Sequence, residues 1–357
     1  MIRVLVTGLS TNYGGTESAV EQIVHLLHQD IIFEFLTYGP LPQGHFDGYK
    51  TFIIPPKRVN PIKYKIALKD FFRKEGCRYD AIWMNLNSLS NLDSLRYAKK
   101  YGIKKRILHA HNDGWLCPWP QKILSEIHKG FFLGDATDLW ACSKSAGRFF
   151  YGKNNYTVIP NLINFKKMSF SAEKRFVIRQ NHSLNNSFVI GTVGRCTVQK
   201  NQQFILELMP SILLKQSNAV YVVVGDGNEL PELKKIAKRL YIEDHVRFVG
   251  AQEDIQGYLS SFDVFVFPSI FEGLGISLLE AQANNLSCIV SDRIDDIALI
   301  SNSVVKVDLG NKEQWIEMIC HSKRSAHNHL DQRSIFFDSD IQNNMLKDLF
   351  VKGTYHG

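Results

Sequence analysis

Short runs of apolar residues recur along the whole chain, separated by stretches whose apolar positions fall at helical spacing. Runs rich in Val, Ile, Leu and aromatics, without polar alternation, suit strands buried on both faces. In the first half they occupy residues 4–7, 33–36, 52–54, 81–84, 106–109, 139–141 and 157–159. Helical patterns lie between them near 18–28, 62–74, 92–100, 121–128 and 143–151. From 161 to 187 the pattern lapses into a polar stretch, which predicts a linker and a lead-in helix. Strand runs then resume at 189–193, 220–224, 246–249, 264–267, 288–290 and 304–307, again with helices between. Such alternation predicts α/β architecture with mostly parallel, doubly wound sheets. The restart predicts two Rossmann-like domains in tandem, 1–163 and 164–339, facing a cleft.

Composition narrows this little further. At 357 residues the chain exceeds one ordinary domain and fits two. No apolar run approaches the ~18 residues of a membrane span. The start, MIRVLVTGLS, runs straight into a strand without a signal-peptide layout. Cys77, Cys117, Cys142, Cys196, Cys288 and Cys320 are scattered, with no C-x-x-C pair. They read as reduced and buried, which places the protein in the cytoplasm. The net charge of +7 calls for an anionic partner. Membrane surface, nucleotide and nucleic acid are all compatible with that charge alone.

Candidate chemistry concentrates in DVFVFPSIFEGLGISLLEAQANNLSCIVSD, residues 263–292. Pro268 stops a buried-strand run, and a loop carries Glu272, Gly273 and Gly275. A helical pattern follows, with Ile276, Leu279 and Ala283 on one face. Strand, loop, helix and strand make one βαβ unit, whose ligands bind at the carboxyl end of the first strand. Glycines at a helix start let backbone N–H groups approach a phosphate. A carboxylate there would repel that phosphate. Glu272 therefore suits a neutral polyol, and Glu280, about two turns on, suits another.

The whole string resembles the retaining glycosyltransferases of the GT-B fold, in particular glycosyltransferase family 4. Their Glu-x7-Glu signature is matched by Glu272 and Glu280 in FEGLGISLLE. The resemblance covers nearly the whole chain and is strongest over 187–292. It implies that Glu272 contacts the transferred sugar and that Glu280 holds the ribose. Gly273, Leu274 and Gly275 would meet the donor in the same loop. Gly194-Arg195 and Lys200 match the family's G-R-x4-K pattern, which assigns Arg195 and Lys200 to the diphosphate. Gly225-Asp226-Gly227 resembles the family's turn near base and ribose, and the loop at 251–255 is where the family holds the base. The segments at 141–147 and 158–164 look like structural landmarks, the second starting the hinge.

In the first half, Gly14-Gly15-Thr16-Glu17 opens the first helix. It reads either as a flexible loop with an N-cap by Thr16 or, by resemblance to the family's GG-x-E loop, as amides facing the donor diphosphate. His109 and His111 end a strand, and the resemblance implies that one of them touches the sugar. His111 is the better match because it lies further into the loop, with His109 in reserve.

Asp338-Ser339-Asp340 has the Asp-x-Asp form of metal-dependent glycosyltransferases, yet it precedes the last helical pattern, where such residues act as caps. No metal and no cofactor are expected, the nucleotide sugar being a co-substrate. The last helix, about 340–357, is expected to pack back on the first domain. Basic residues gather at Lys57, Arg58, Lys63, Lys65, Lys69, Arg73, Lys74 and Arg78, interleaved with Ile62, Ile66, Ala67 and Phe71. An amphipathic basic helix of this kind can lie on an anionic membrane. Lys122, Ile123, Ile127, Phe131 and Phe132 would extend the contact. The resemblance implies a UDP-hexose donor and a saccharide or polyprenol-linked saccharide acceptor, in capsule, exopolysaccharide or O-antigen assembly, with no nucleic acid involved. Two other readings stand beside it: an epimerase or phosphorylase on the same fold, and a nucleotide-sugar-binding protein without chemistry.

Overall fold

The computed structural model of the protein describes residues 1–112, 114, 119–131, 133–272, 274–324 and 330–352. It divides into two compact units, Met1–Leu162 with Ser339–Gly357, and Ile163–Asp338. Each is built on one parallel sheet with helices on both faces.

The first sheet contains β1 (Ile2–Thr7), β2 (Ile31–Thr37), β3 (Thr51–Ile53), β4 (Ala81–Leu86), β5 (Lys105–Ala110), β6 (Asp138–Ala141) and β7 (Thr157–Val158). Their spatial order is β3-β2-β1-β4-β5-β6-β7. The connecting helices are α1 (Gly15–Leu27), α2 (Pro61–Glu75), α3 (Asp93–Lys100), α4 (Trp119–Phe131) and α5 (Lys144–Tyr151). Every residue of β4 is buried, as a strand covered on both faces demands. On one face Phe350 stands edge-on to Trp83 and Trp140 at 5.2 and 5.0 Å between ring centroids. Phe350 belongs to the last helix, α13 (Ser339–Lys352), so the first unit takes part of its core from the other end of the chain.

The second sheet contains β8 (Phe188–Val193), β9 (Ala219–Val224), β10 (Val246–Gly250), β11 (Val264–Phe267), β12 (Ser287–Ser291) and β13 (Val304–Val307). Their order is β10-β9-β8-β11-β12-β13. Its helices are α6 (Phe165–Met168), α7 (Ala172–Asn181), α8 (Gln202–Lys215), α9 (Leu230–Arg239), α10 (Ile255–Ser261), α11 (Ile276–Ala283) and α12 (Lys312–His321).

Four expectations need correction. The stretch at 161–187 contains the expected lead-in helix, but it holds two helices, α6 and α7. Arg175 and Arg179 of α7 each reach Asp263 at 2.6 Å, and the Asp263 carboxylate also accepts from Val189 N at 2.8 Å. Helix α2 buries Tyr64, Leu68, Phe71 and Phe72, while Ile62 and Ile66 are 73% and 57% exposed. Several basic residues there are ion-paired, Lys57 with Asp93 at 2.7 Å and Arg73 with Asp70 at 3.0 Å. Helix α1 starts at Gly15 with Gly14 as its N-cap, so Thr16 does not cap it. The cysteines are not uniformly buried: Cys142, Cys196 and Cys288 are, Cys320 is half-buried, Cys77 is exposed, and Cys117 lies outside the described residues. Among the described residues no helix is long and apolar enough to cross a membrane.

Candidate functional site

In the second sheet the strand order reverses between β8 and β11, and the crevice that ligands enter lies at their carboxyl ends. The loops leaving these two strands are tied together. Ile270 N donates to Gln199 O at 2.8 Å, Gln199 Nε2 donates to Phe271 O at 2.9 Å, and Asn201 Nδ2 donates to Pro268 O at 3.1 Å. These bonds bring together two residues that the sequence had placed separately. Lys200 Nζ stands 2.7 Å from Glu272 Oε1, with side chains 18% and 9% exposed. The same ammonium lies 4.7 Å from the centroid of the Phe267 ring. Exposed pairs contribute only ~0–1 kcal/mol, whereas removing one partner of a buried pair costs about 3–5 kcal/mol because a charge is left unmatched. Glu272 does not cap α11; its carboxylate is engaged by Lys200, and the N-cap is Gly275, without a side-chain cap bond.

Arg195, one loop turn earlier, is exposed, and among the described residues it has no acidic partner. Its carbonyl accepts from Gln202 Nε2 at 3.0 Å, which fixes the backbone while the guanidinium faces solvent. The β8 and β9 loops pack main chain against main chain. Gly194 N donates to Val224 O and Cys196 N to Asp226 O, both at 2.9 Å. Gly225 has φ +137°, and a Cβ there would stand 2.1 Å from Gly194 O. Packing alone therefore demands glycine at 225. Asp226 steadies the turn, its Oδ1 accepting from Gly227 N at 2.7 Å.

In the β11 loop, Gly275 takes a left-handed conformation, φ +61°, and a Cβ would come within 3.0 Å of Phe267. Gly273 lies outside the described residues. The Leu274 side chain is buried in the core, so this residue offers only its backbone. Helix α11 buries Leu278, Leu279, Ala281, Gln282 and Ala283, more than the single face expected. Glu280 remains half-buried on it, and loss of water pushes its carboxyl up to about 7.

The remaining predicted residues belong to the first unit. His111 follows β5, and its Nε2–H donates to Asn85 Oδ1 at 2.8 Å. Asn85 Nδ2 points to Thr7 O at 3.5 Å, so its oxygen faces the imidazole. Burial pulls His111 down to about 3, and its Nδ1 has no partner among the described residues. It is a neutral imidazole with one lone pair unused, able to take a hydroxyl proton in a hydrogen bond. His109 lies deeper, 1% exposed, with Nδ1 accepting from Trp83 Nε1 at 3.3 Å and its pKa held well below the ordinary value by burial. Of the two, His111 is the one at the strand's end.

A Cβ at Gly15 would meet nothing within 4 Å, and one at Gly14 would meet only Glu17 Oε2 at 3.4 Å. Neither glycine is there for packing. The loop is set instead by Glu17, whose buried carboxylate accepts from Ser10 N at 2.8 Å, and by Thr16, whose Oγ1 accepts from Asn87 Nδ2 at 3.3 Å. Sequence reasoning missed Asn85, Gln199, Asn201 and Phe267 as supports of the site. The amides flanking Lys200 were the available signal. Asp338 pairs its backbone with Ile163 ahead of α13, and among the described residues no cluster of three His, Cys, Asp or Glu is placed to hold a metal.

Residues 173–300 match the family model described as glycosyl transferases group 1. Over these residues the chain carries a glycosyl transferases group 1 domain. It is 28% identical over 309 residues to the glycosyltransferase EpsF of Bacillus subtilis, covering 82% of this chain and 80% of that one. It is 26% identical over 281 residues to an Escherichia coli UDP-Gal:alpha-D-GlcNAc-diphosphoundecaprenol alpha-1,3-galactosyltransferase, covering 74% and 72%. Among solved structures, Anabaena HepE in complex with UDP and glucose superposes with TM-score 0.75 over 98% of this chain and 99% of that one, at 17% identity. WaaG, a glycosyltransferase involved in lipopolysaccharide biosynthesis, gives TM-score 0.69 over 99% and 100%, at 13% identity. At those identities the structural likeness speaks for the GT-B fold, which the two parallel-sheet units share.

Proposed function

We propose that this glycosyltransferase moves a hexose from a UDP-sugar to a saccharide carried on a polyprenyl diphosphate, with retention of anomeric configuration, in cell-surface polysaccharide assembly. The observation that carries this reading is the adjacency of Lys200 and Glu272 at the switch point of the second sheet. One is suited to a phosphate and the other to sugar hydroxyls, so together they fit a molecule containing both. The relatives that share most of the chain's length include a galactosyltransferase whose named donor is UDP-Gal and whose acceptor is diphosphoundecaprenol-linked.

In transfer, negative charge builds on the leaving diphosphate. Lys200, Arg195 and the free N–H groups at the start of α11 stabilise it where it forms, without a metal. Glu272 accepts from hydroxyls of the transferred ring and opposes the positive charge that builds there. Glu280 accepts from the ribose, which does not change during the reaction. His111, neutral and fixed by Asn85, meets a sugar hydroxyl through its free Nδ1. By the family resemblance the amides of Gly14 and Gly15 are assigned to the diphosphate.

The acceptor's lipid brings the enzyme to the inner face of the membrane. Two surfaces of the first unit support that. On α2, Ile62 and Ile66 are exposed among Lys63, Lys65 and Lys69. On α4, Trp119, Ile123 and Ile127 are 70%, 50% and 49% exposed beside Lys122. The side chain of Phe131, and Phe132, lie outside the described residues.

Incubation with UDP-glucose or UDP-galactose and a polyprenyl-diphosphate saccharide tests the reaction, with proton NMR reading the new anomeric centre. Retention, and turnover undiminished by EDTA, are expected. Inversion, or activity lost to EDTA and restored by manganese, overturns the corresponding part. Glu272→Gln should lower kcat by about 10²–10³, the scale of one electrostatic stabiliser. Wild-type kcat in that variant removes Glu272 from the chemistry.

A further inference from the structure

Lys200 and Glu272 are held against each other at the switch point of the second sheet, and a diphosphate that takes the Lys200 ammonium competes with Glu272 for it. The ammonium faces the Phe267 ring on one side and Glu272 Oε1 on the other. The loop backbones cannot drift apart to relieve it, because Gln199, Asn201 and Ile270 bond across the two loops. The change must therefore come from the side chains.

We propose that Glu272 holds Lys200 in the free enzyme and gives it up to the entering diphosphate, so that the site discriminates a nucleotide sugar from the bare nucleoside diphosphate. The proposal rests on the nucleotide-sugar reading above. Once Lys200 turns to phosphate, the Glu272 carboxylate is left nearly buried and beside a second anion. Sugar hydroxyls donate to it and restore its hydrogen bonds. A nucleoside diphosphate has no such hydroxyls at that position, so it must displace Glu272 from Lys200 without replacing what is lost. The intact donor is favoured on entry, and after transfer the recovery of the ion pair helps expel the product. Glu272 thereby acts as a specificity residue as well as a contact to the sugar.

A double-mutant cycle on the full chain tests this, with UDP as the probe and titration calorimetry as the readout. Simple repulsion between Glu272 and phosphate predicts that Glu272→Gln tightens UDP at least as much in a Lys200→Met background as in the wild type. Exchange of the ion pair predicts about tenfold tightening when Lys200 is present and less than about twofold when it is replaced, a coupling of ordinary size for contacting residues. UDP-sugar binding should not tighten in Glu272→Gln. Equal gains in UDP affinity in both backgrounds overturn the exchange while leaving the donor reading intact. Wild-type enzyme that binds no nucleoside diphosphate overturns both. Melting curves establish that each variant is folded, and Lys200→Gln replaces Lys200→Met if the latter is not.

Discussion

Replacing Glu280 by Gln isolates the effect of burying an ionisable group on α11. Its carboxyl is displaced from 4.5 to about 7 by loss of water. At 1.36 kcal/mol per pH unit of displacement, keeping it ionised in the folded protein costs about 3 kcal/mol. The folded state thus retains a proton that the unfolded chain has already released. Because the folded value is raised, the stabilising contribution is complete below about pH 4.5 and is lost as pH rises through about 7. From pH 6 to pH 8 the wild type should lose about 1.3 kcal/mol that Glu280→Gln, which cannot ionise, keeps. For a unit of this size that difference corresponds to roughly 3–5 °C in Tm. Thermal unfolding of both proteins at pH 5, 6, 7 and 8 measures it, and other titrating groups cancel in the comparison. A Tm difference between the two that stays constant over this range refutes the reasoning. The same displacement bears on binding. With the ribose contact proposed above, hydroxyls would donate to the ionised form, so donor binding at pH 6 should release most of one proton, detectable by calorimetry in buffers of different ionisation enthalpy. Glu280→Gln should release none through this group.

Gly225→Ala forces a Cβ to 2.1 Å from Gly194 O at a backbone angle suited to glycine, so it should destabilise the second unit by several kcal/mol and raise the donor KM. Unchanged melting and KM would show that the β8 and β9 loops adapt. Replacing Ile62 and Ile66, or Trp119 and Ile123, by Ser should weaken co-sedimentation with vesicles containing anionic lipid and leave melting unchanged, since these side chains are exposed. Binding of the wild type should also fall with salt, as the Debye length shortens to ~3 Å at 1 M. Sedimentation indifferent to both salt and these substitutions would exclude the two surfaces as the contact.

Continuous apolar runs made the strands legible, because a parallel strand buried on both faces has little room for polar residues. Helix faces were less legible. In α2 the spacing grouped Phe71 with Ile62 and Ile66 on one apolar side, yet Phe71 joins Tyr64, Leu68 and Phe72 in the core while Ile62 and Ile66 are exposed. In 161–187 the polar composition suggested a linker and one lead-in helix, but two helices form there, and Arg175 and Arg179 are matched by an Asp263 far along the chain. The site's residue types could be read one at a time. Their pairing could not, because Lys200 meets Glu272 only through β8 lying beside β11, a fact of sheet order rather than of spacing. Supports such as Asn85 and Gln199 carry ordinary amides whose orientation is defined only by folded neighbours.

The closing of the first unit's aromatic core by Phe350 sets an order on synthesis. As the chain emerges from the ribosome, residues 163–338 are contiguous and can fold as soon as they are out. The first unit is made earlier but lacks Leu346, Leu349 and Phe350, which fill one face of its sheet, until the whole second unit has been made. The part born first is therefore completed only after the part born second, and a truncation ahead of α13 would damage the core of the first unit rather than the second.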